Sequence, residues 1–213
     1  MKQAFIWDLD GTLLDSYTLI VPCLQETLEQ AGLLMPQREI RNIILKDSVT
    51  ALIEQGSQKT GLPFDTLMGR YKAISESRML EIPLMPGARE ILEDLHQRGI
   101  RHYVFTHRGA SSLPVLEHLG IASYFEEVVT SLYPLPRKPA PDGILYLLEK
   151  HGLSKESACY VGDRRLDMDC AYNAKIAGIL LHAPDSPAAP AGTEAAVVHS
   201  LMDIPLLLEQ GVI

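Results

Sequence analysis

The spacing of apolar positions along this chain changes twice. Ala4-Phe5-Ile6-Trp7 is a short unbroken apolar run, which predicts a strand buried on both faces. From Leu19 the spacing turns helical: Leu19, Ile20, Cys23, Leu24, Leu28 and Ala31 share a face, Ser16 stands where a cap belongs, and Gly32 ends the pattern. Helical stretches follow at 37–45, 48–56 and 63–80, the last with Leu67, Met68, Tyr71 and Ile74 on one face. From Ile82 onward strands and helices alternate. Helices are expected at 87–98, 112–119, 141–151, 165–174 and 201–210, and strands at 100–105, 127–130, 158–161, 176–181 and 195–198. Pro114 falls in the first turn of its helix, where the missing N–H costs little. The Ala- and Pro-rich segment Ala183–Gly192 reads as a surface loop, and no internal repeat is present.

Alternating strands and helices make a parallel sheet covered by helices. The expected fold is therefore α/β, a three-layer Rossmann-like core at 1–15 and 82–213, with a helical bundle at 16–81 inserted after its first strand. At 213 residues and 46% hydrophobic content the chain can fill such a core. A formal net charge of −8 argues against nucleic acid or an anionic membrane as partner, but leaves room for a small anion held by a few local cations. Cys23, Cys159 and Cys170 are odd in number and lack paired spacing, so neither a disulfide framework nor a zinc site is expected, and a reducing cytoplasm fits. Met1-Lys2 leads straight into a strand, and no apolar run approaches the ~18 residues of a membrane span. The sequence carries no signal for an oligomeric state.

Four runs carry chemistry. The first, Asp8-Leu9-Asp10-Gly11-Thr12, follows the first strand, and Gly11 permits a sharp turn there. Both acids are thus expected at the strand's C-terminal edge, where open α/β sheets bind ligands. One carboxylate can act as nucleophile and the other as proton donor, a division of labour that splits a phosphate ester in two steps. The second run, Tyr103-Val104-Phe105-Thr106, ends a strand on a hydroxyl. The third is Arg137-Lys138-Pro139-Ala140-Pro141-Asp142, and the fourth is Tyr160-Val161-Gly162-Asp163-Arg164-Arg165-Leu166-Asp167.

In this order the four runs resemble the motifs of the haloacid dehalogenase superfamily of phosphotransferases, in the group with a helical cap that includes phosphoglycolate phosphatases and beta-phosphoglucomutases. The resemblance implies a Mg²⁺-dependent phosphatase acting on small organic phosphate monoesters through an aspartyl-phosphate. Asp8 would be the nucleophile and Asp10 the acid and base. Thr106 and Lys138 would bind the phosphoryl group. The repulsion that Lys138 offsets is on the order of 4 kcal/mol per charge pair at about 4 Å and an effective dielectric of about 20. Asp163 would ligate the metal together with Asp8 and the Asp10 carbonyl, and Asp167 would either help hold a metal-bound water or orient Lys138. Four carboxylates in one cleft require a cation on electrostatic grounds, and Mg²⁺ prefers such oxygen ligands.

His107 stands where the family usually places Asn or Ser. It is read as a phosphate-loop residue through its backbone, with its ring facing solvent, and Arg108 either reaches a substrate anion or is solvated. The remaining histidines are read as structural or surface residues, and Asp169 as surface charge. The bundle at 16–81 would be a cap that selects the substrate, a small phosphorylated metabolite. Its junction Leu45-Lys46-Asp47-Ser48 offers Lys46 as a candidate contact, with Asp47 or Ser48 capping the next helix. The alternatives are a sugar-phosphate mutase with the same motifs and a non-catalytic sensor of phosphorylated ligands.

Overall fold

The computed structural model describes residues 2–183, 190 and 192–213. Six strands form one parallel sheet: β1 (Ala4–Trp7), β2 (Arg101–Phe105), β3 (Phe125–Val129), β4 (Ala158–Gly162), β5 (Ala177–Leu181) and β6 (Ala196–Val198). Their order is β3-β2-β1-β4-β5-β6. Each outer half is built away from β1, so the order reverses at β1 and opens a crevice beyond its C-terminal end. Trp7 lies opposite Val104 on one side and Val161 on the other, which brings the ends of three strands level.

Strands buried on both faces must be apolar throughout, and every residue of β1 is buried. Ala4, Ile6, Tyr103, Phe105 and Tyr160 face a core shared with Ile144, Leu147, Met168 and Ala171. Alternation sends Phe5 and Trp7 to the other face, where their rings stack at 5.5 Å and Trp7 Nε1 donates to His102 Nδ1 at 3.1 Å.

The chain divides into two compact units, Met1–Asp15 with Pro83–Ile213, and Ser16–Ile82. Ile82, which the pattern assigned to the α/β part, thus falls with the helices. The helical unit contains α1 (Tyr17–Glu29), α2 (Gln37–Lys46), α3 (Val49–Thr60) and α4 (Phe64–Ser77), and a short 3₁₀ turn at Met79–Glu81. Val21, Leu24, Leu28, Ile40, Ile44, Leu52, Ile53 and Leu67 close its own core, each such side chain contributing about 1.5–3 kcal/mol. Ser16 does not cap α1. Its backbone is already helical, its carbonyl accepts from Leu19 and Ile20, and its hydroxyl makes no cap bond. Ser48 does cap α3, accepting from the Ala51 N–H at 3.0 Å.

In the α/β unit the remaining helices are α5 (Ala88–Gln97), α6 (Ser112–His118), α7 (Asp142–Lys150), α8 (Arg165–Ala174) and α9 (Ile204–Glu209). The helix expected at 201–210 is a 3₁₀ turn over Leu201–Asp203 followed by α9, because Ser200 and Asp203 cap the turn reciprocally. β3 begins two residues earlier than the pattern suggested, with Phe125 pairing His102. Of the expected loop Ala183–Gly192, positions 184–189 and 191 lie outside the described residues. No helix among the described residues is long and apolar enough to cross a membrane.

Glu127 ties the edge strand β3 to α7. Its carboxylate accepts from Lys150 Nζ at 2.8 Å and Tyr146 Oη at 3.0 Å, and lies 2.7 Å from His151 Nε2. Burial opposes the charge, but these bonds outweigh it and hold the carboxyl down at about 2. A carboxylate with a depressed folded-state value stabilises the fold above its unfolded value near 4.5, and that stability is lost as pH falls toward 2. Glu127→Gln is expected to lower the thermal midpoint at pH 7 by about 3 °C, with the difference from wild type vanishing as pH approaches 2. Melting curves across that range check it; a pH-independent difference contradicts it.

Candidate active site

Asp8 follows β1 directly, and its N–H donates to the Val161 carbonyl at 2.9 Å, continuing the pairing with β4. The strand cannot run further, because Gly11 adopts φ +83° and donates to the Leu14 carbonyl at 2.8 Å. The turn leaves Asp8 and Asp10 at the sheet edge. Thr106 follows β2, Asp163 follows β4, and Lys138 lies in the segment between β3 and α7. Gly162 permits the tightest approach at the site: a Cβ there would sit 2.4 Å from the Cβ of Asp167.

Lys138 is the centre of the site. Its ammonium donates to Asp8 Oδ1 at 2.7 Å, Asp167 Oδ1 at 2.6 Å and Tyr160 Oη at 2.8 Å. An ammonium has three hydrogens, so all are in use. Its side chain is 2% exposed, and those of Asp8 and Asp167 are 8% and 1% exposed. Burial disfavours the charged lysine, but Asp167 and Asp8 outweigh that and raise its pKa. For Asp8 burial dominates, pushing the carboxyl up to about 7 against the pull of Lys138. Asp167 also accepts from the Arg164 N–H through Oδ2 at 3.1 Å, so both its oxygens are occupied. Tyr160 Oη in turn donates to the Phe105 carbonyl at 3.0 Å. Sequence reasoning missed Tyr160. The only signal was its place on β4, two residues before Gly162 and on the face toward α7 and α8.

The tripeptide Thr106-His107-Arg108 organises two other groups, the Lys138 backbone and the Asp10 carboxyl. Thr106 Oγ1 accepts from the Arg108 N–H at 3.1 Å, which leaves its own proton to donate elsewhere. His107 does not face solvent as expected. Its Nε2 accepts the Lys138 backbone N–H at 2.9 Å. Burial, with the Lys138 and Arg137 charges, lowers its pKa to about 4, so the ring is neutral with its proton on Nδ1. Arg108 is neither solvated nor unengaged: Nε and Nη2 both donate to Asp10 Oδ1, the former at 3.1 Å. The lysine segment is held elsewhere by Asn173 Nδ2 on the Pro139 carbonyl at 3.0 Å and by Cys170 Sγ on the Ala140 carbonyl at 3.1 Å.

Asp8, Asp163 and Asp167 each bring a carboxylate oxygen within 4.8 Å of the other two. Hard oxygen donors at that spacing suit a hard divalent cation. Asp169 lies apart, 3.6 Å from Arg165 on the α8 surface. Lys46 is the last residue of α2 and is exposed.

The family model described as haloacid dehalogenase-like hydrolase matches residues 5–181. This chain belongs to that family. Among relatives of the haloacid dehalogenase-like hydrolase, a phosphoglycolate phosphatase from Agrobacterium fabrum is 31% identical over 82% of this chain and 78% of its own. Among solved structures, a predicted phosphoglycolate phosphatase from Haemophilus somnus 129pt has a TM-score of 0.86 at 21% identity, covering 97% of this chain and 98% of its own. A proposed beta-phosphoglucomutase from Thermotoga maritima has a TM-score of 0.79 at 21% identity, covering 99% of each. At those identities the two structures establish the shared fold alone.

Removing the ammonium would leave two buried carboxylates facing each other. Lys138→Met is expected to destabilise this hydrolase by about 3–5 kcal/mol at neutral pH, and Tyr160→Phe by about 1 kcal/mol. Denaturant titration reads both. A Lys138→Met midpoint equal to wild type would mean that the charges are not coupled as described.

Proposed function

We propose that this hydrolase cleaves small phosphate monoesters with Mg²⁺, through an aspartyl-phosphate on Asp8. The observation that carries the reading is the Lys138 ammonium held between Asp8 and Asp167, beside an oxygen cluster suited to a divalent cation. Asp8 Oδ2 makes no hydrogen bond among the described residues and is the oxygen available to attack phosphorus. As the new O–P bond forms, the ester O–P bond breaks in line, and Asp10 protonates the departing oxygen. Asp10, now ionised, takes a proton from the water that attacks the aspartyl-phosphate. Inorganic phosphate leaves and the Asp8 carboxylate is restored.

Lys138 enters this sequence with no spare donor, so it must exchange one partner. Tyr160 and Asp167 hold two of its hydrogens in place, and the third passes from Asp8 to a phosphoryl oxygen as Asp8 gives up its charge. The Thr106 hydroxyl supplies a further donor to that group. Asp8, Asp163 and the Asp10 carbonyl would hold Mg²⁺, which offsets repulsion between the attacking carboxylate and the phosphate. For Asp167, the two engaged oxygens favour orientation of Lys138 over direct metal ligation.

The phosphatase named among the relatives favours hydrolysis over phosphoryl transfer within a sugar, and makes phosphoglycolate the first ester to try. The complete set of acids and lysine disfavours a sensor. Substrate choice is assigned to the helical unit, with Lys46 as its candidate, and the cytoplasm as location fits three free, buried cysteines.

A panel of small phosphate monoesters, phosphoglycolate included, assayed with Mg²⁺ and with the metal chelated, tests the reading. Metal-dependent phosphate release from at least one member is expected, falling by about 10⁴-fold or more in Asp8→Asn. Full activity in Asp8→Asn overturns it. Lys46→Ala is expected to lower kcat/KM unequally across the panel; unchanged values remove Lys46 from the assignment.

A further inference from the structure

Building on that phosphatase reading, we propose that Arg108 is a positioning residue for leaving-group protonation: it fixes the Asp10 carboxyl with Oδ2 turned to the departing oxygen. Two guanidinium nitrogens, Nε and Nη2, converge on the single oxygen Oδ1. Oδ2 makes no hydrogen bond among the described residues, and the Asp10 side chain is 27% exposed.

The guanidinium is itself anchored. Nη1 donates to Ser111 Oγ at 3.3 Å, the Arg108 N–H donates to Thr106 Oγ1 at 3.1 Å, and its carbonyl accepts from the Ser131 N–H at 3.1 Å. The acid is thereby tied to the same loop that presents the Thr106 hydroxyl, and its distance from the phosphoryl group is set by the end of β2 rather than by its own rotamers. A misplacement of about 1 Å in such a group costs up to ~10²-fold in rate.

The step balances without another reactant. The electron pair of the breaking P–O bond goes to the leaving oxygen, which takes the Oδ2 proton of Asp10. The carboxylate that results keeps both Arg108 donors on Oδ1 and is oriented for the second half of the reaction. A well-placed acid matters most where the leaving group is a strong base. An alkoxide needs the proton as the bond breaks, whereas a nitrophenolate departs with little help. An arginine that bound the phosphate instead would serve both esters equally.

The test compares kcat/KM for ethyl phosphate and p-nitrophenyl phosphate in wild type, Arg108→Met and Arg108→Lys, all with Mg²⁺. This constant reports events through the first phosphoryl transfer. Arg108→Met is expected to lose at least about tenfold more on the ethyl than on the nitrophenyl ester, with part of the difference regained by added methylguanidinium. Arg108→Lys keeps the charge but not the two-point hold, and should show the same leaving-group dependence in smaller measure. Equal losses on both esters, or none, overturn the role assigned to Arg108. A wild-type protein that hydrolyses neither these esters nor the wider panel overturns the phosphatase reading itself.

Discussion

A buried ammonium must find acceptors for all three of its hydrogens, and Lys138 finds them in three parts of the fold: Asp8 after β1, Tyr160 within β4 and Asp167 at the start of α8. Much of the site follows from this constraint. Glycine at 162 makes room for Asp167, and the pairing of β1 with β4 brings Asp8 beside Tyr160. The segment carrying Lys138 is pinned by His107, Asn173 and Cys170, so that the side chain enters its pocket of acceptors from a fixed backbone.

Charge balance then makes this cluster one that could hold a cation. One ammonium faces Asp8 and Asp167, and Asp163 brings a third carboxylate within reach of both. Asp10 escapes this crowd because Arg108 supplies it with a separate partner. The two acids at the end of β1 thus experience different surroundings two residues apart. Asp8 is enclosed and paired with lysine, while Asp10 is partly exposed and paired with arginine.

The strand pattern made the sheet and its C-terminal edge legible from the sequence. Asp8 and Asp10 were expected at that edge because of the turn at Gly11, whereas Thr106, Lys138, Asp163 and Asp167 were named because the four runs resemble a family's motifs. Contacts made by side chains far apart in sequence were not legible. His107 meets Lys138 across 31 positions, Tyr160 meets it across 22, and Arg108 meets Asp10 across 98. Local spacing gives no hint of such pairs, so His107 read as a solvent-facing loop residue. Where local chemistry decides, as at the start of α3, the sequence narrowed the cap to Asp47 or Ser48, and Ser48 fills it. Ser16 failed the same test, since tertiary structure had already given its backbone helical angles.

The most direct measurement is a rapid acid quench of the protein during turnover of a small phosphate ester with Mg²⁺, followed by mass spectrometry of its peptides. Phosphate covalently attached to the peptide containing Asp8, appearing and decaying at rates that support steady-state release, is the expected result. Phosphate release at full rate with Asp8 unmodified at every time point would show that water attacks the ester directly, and would contradict the nucleophilic role on which the site has been interpreted.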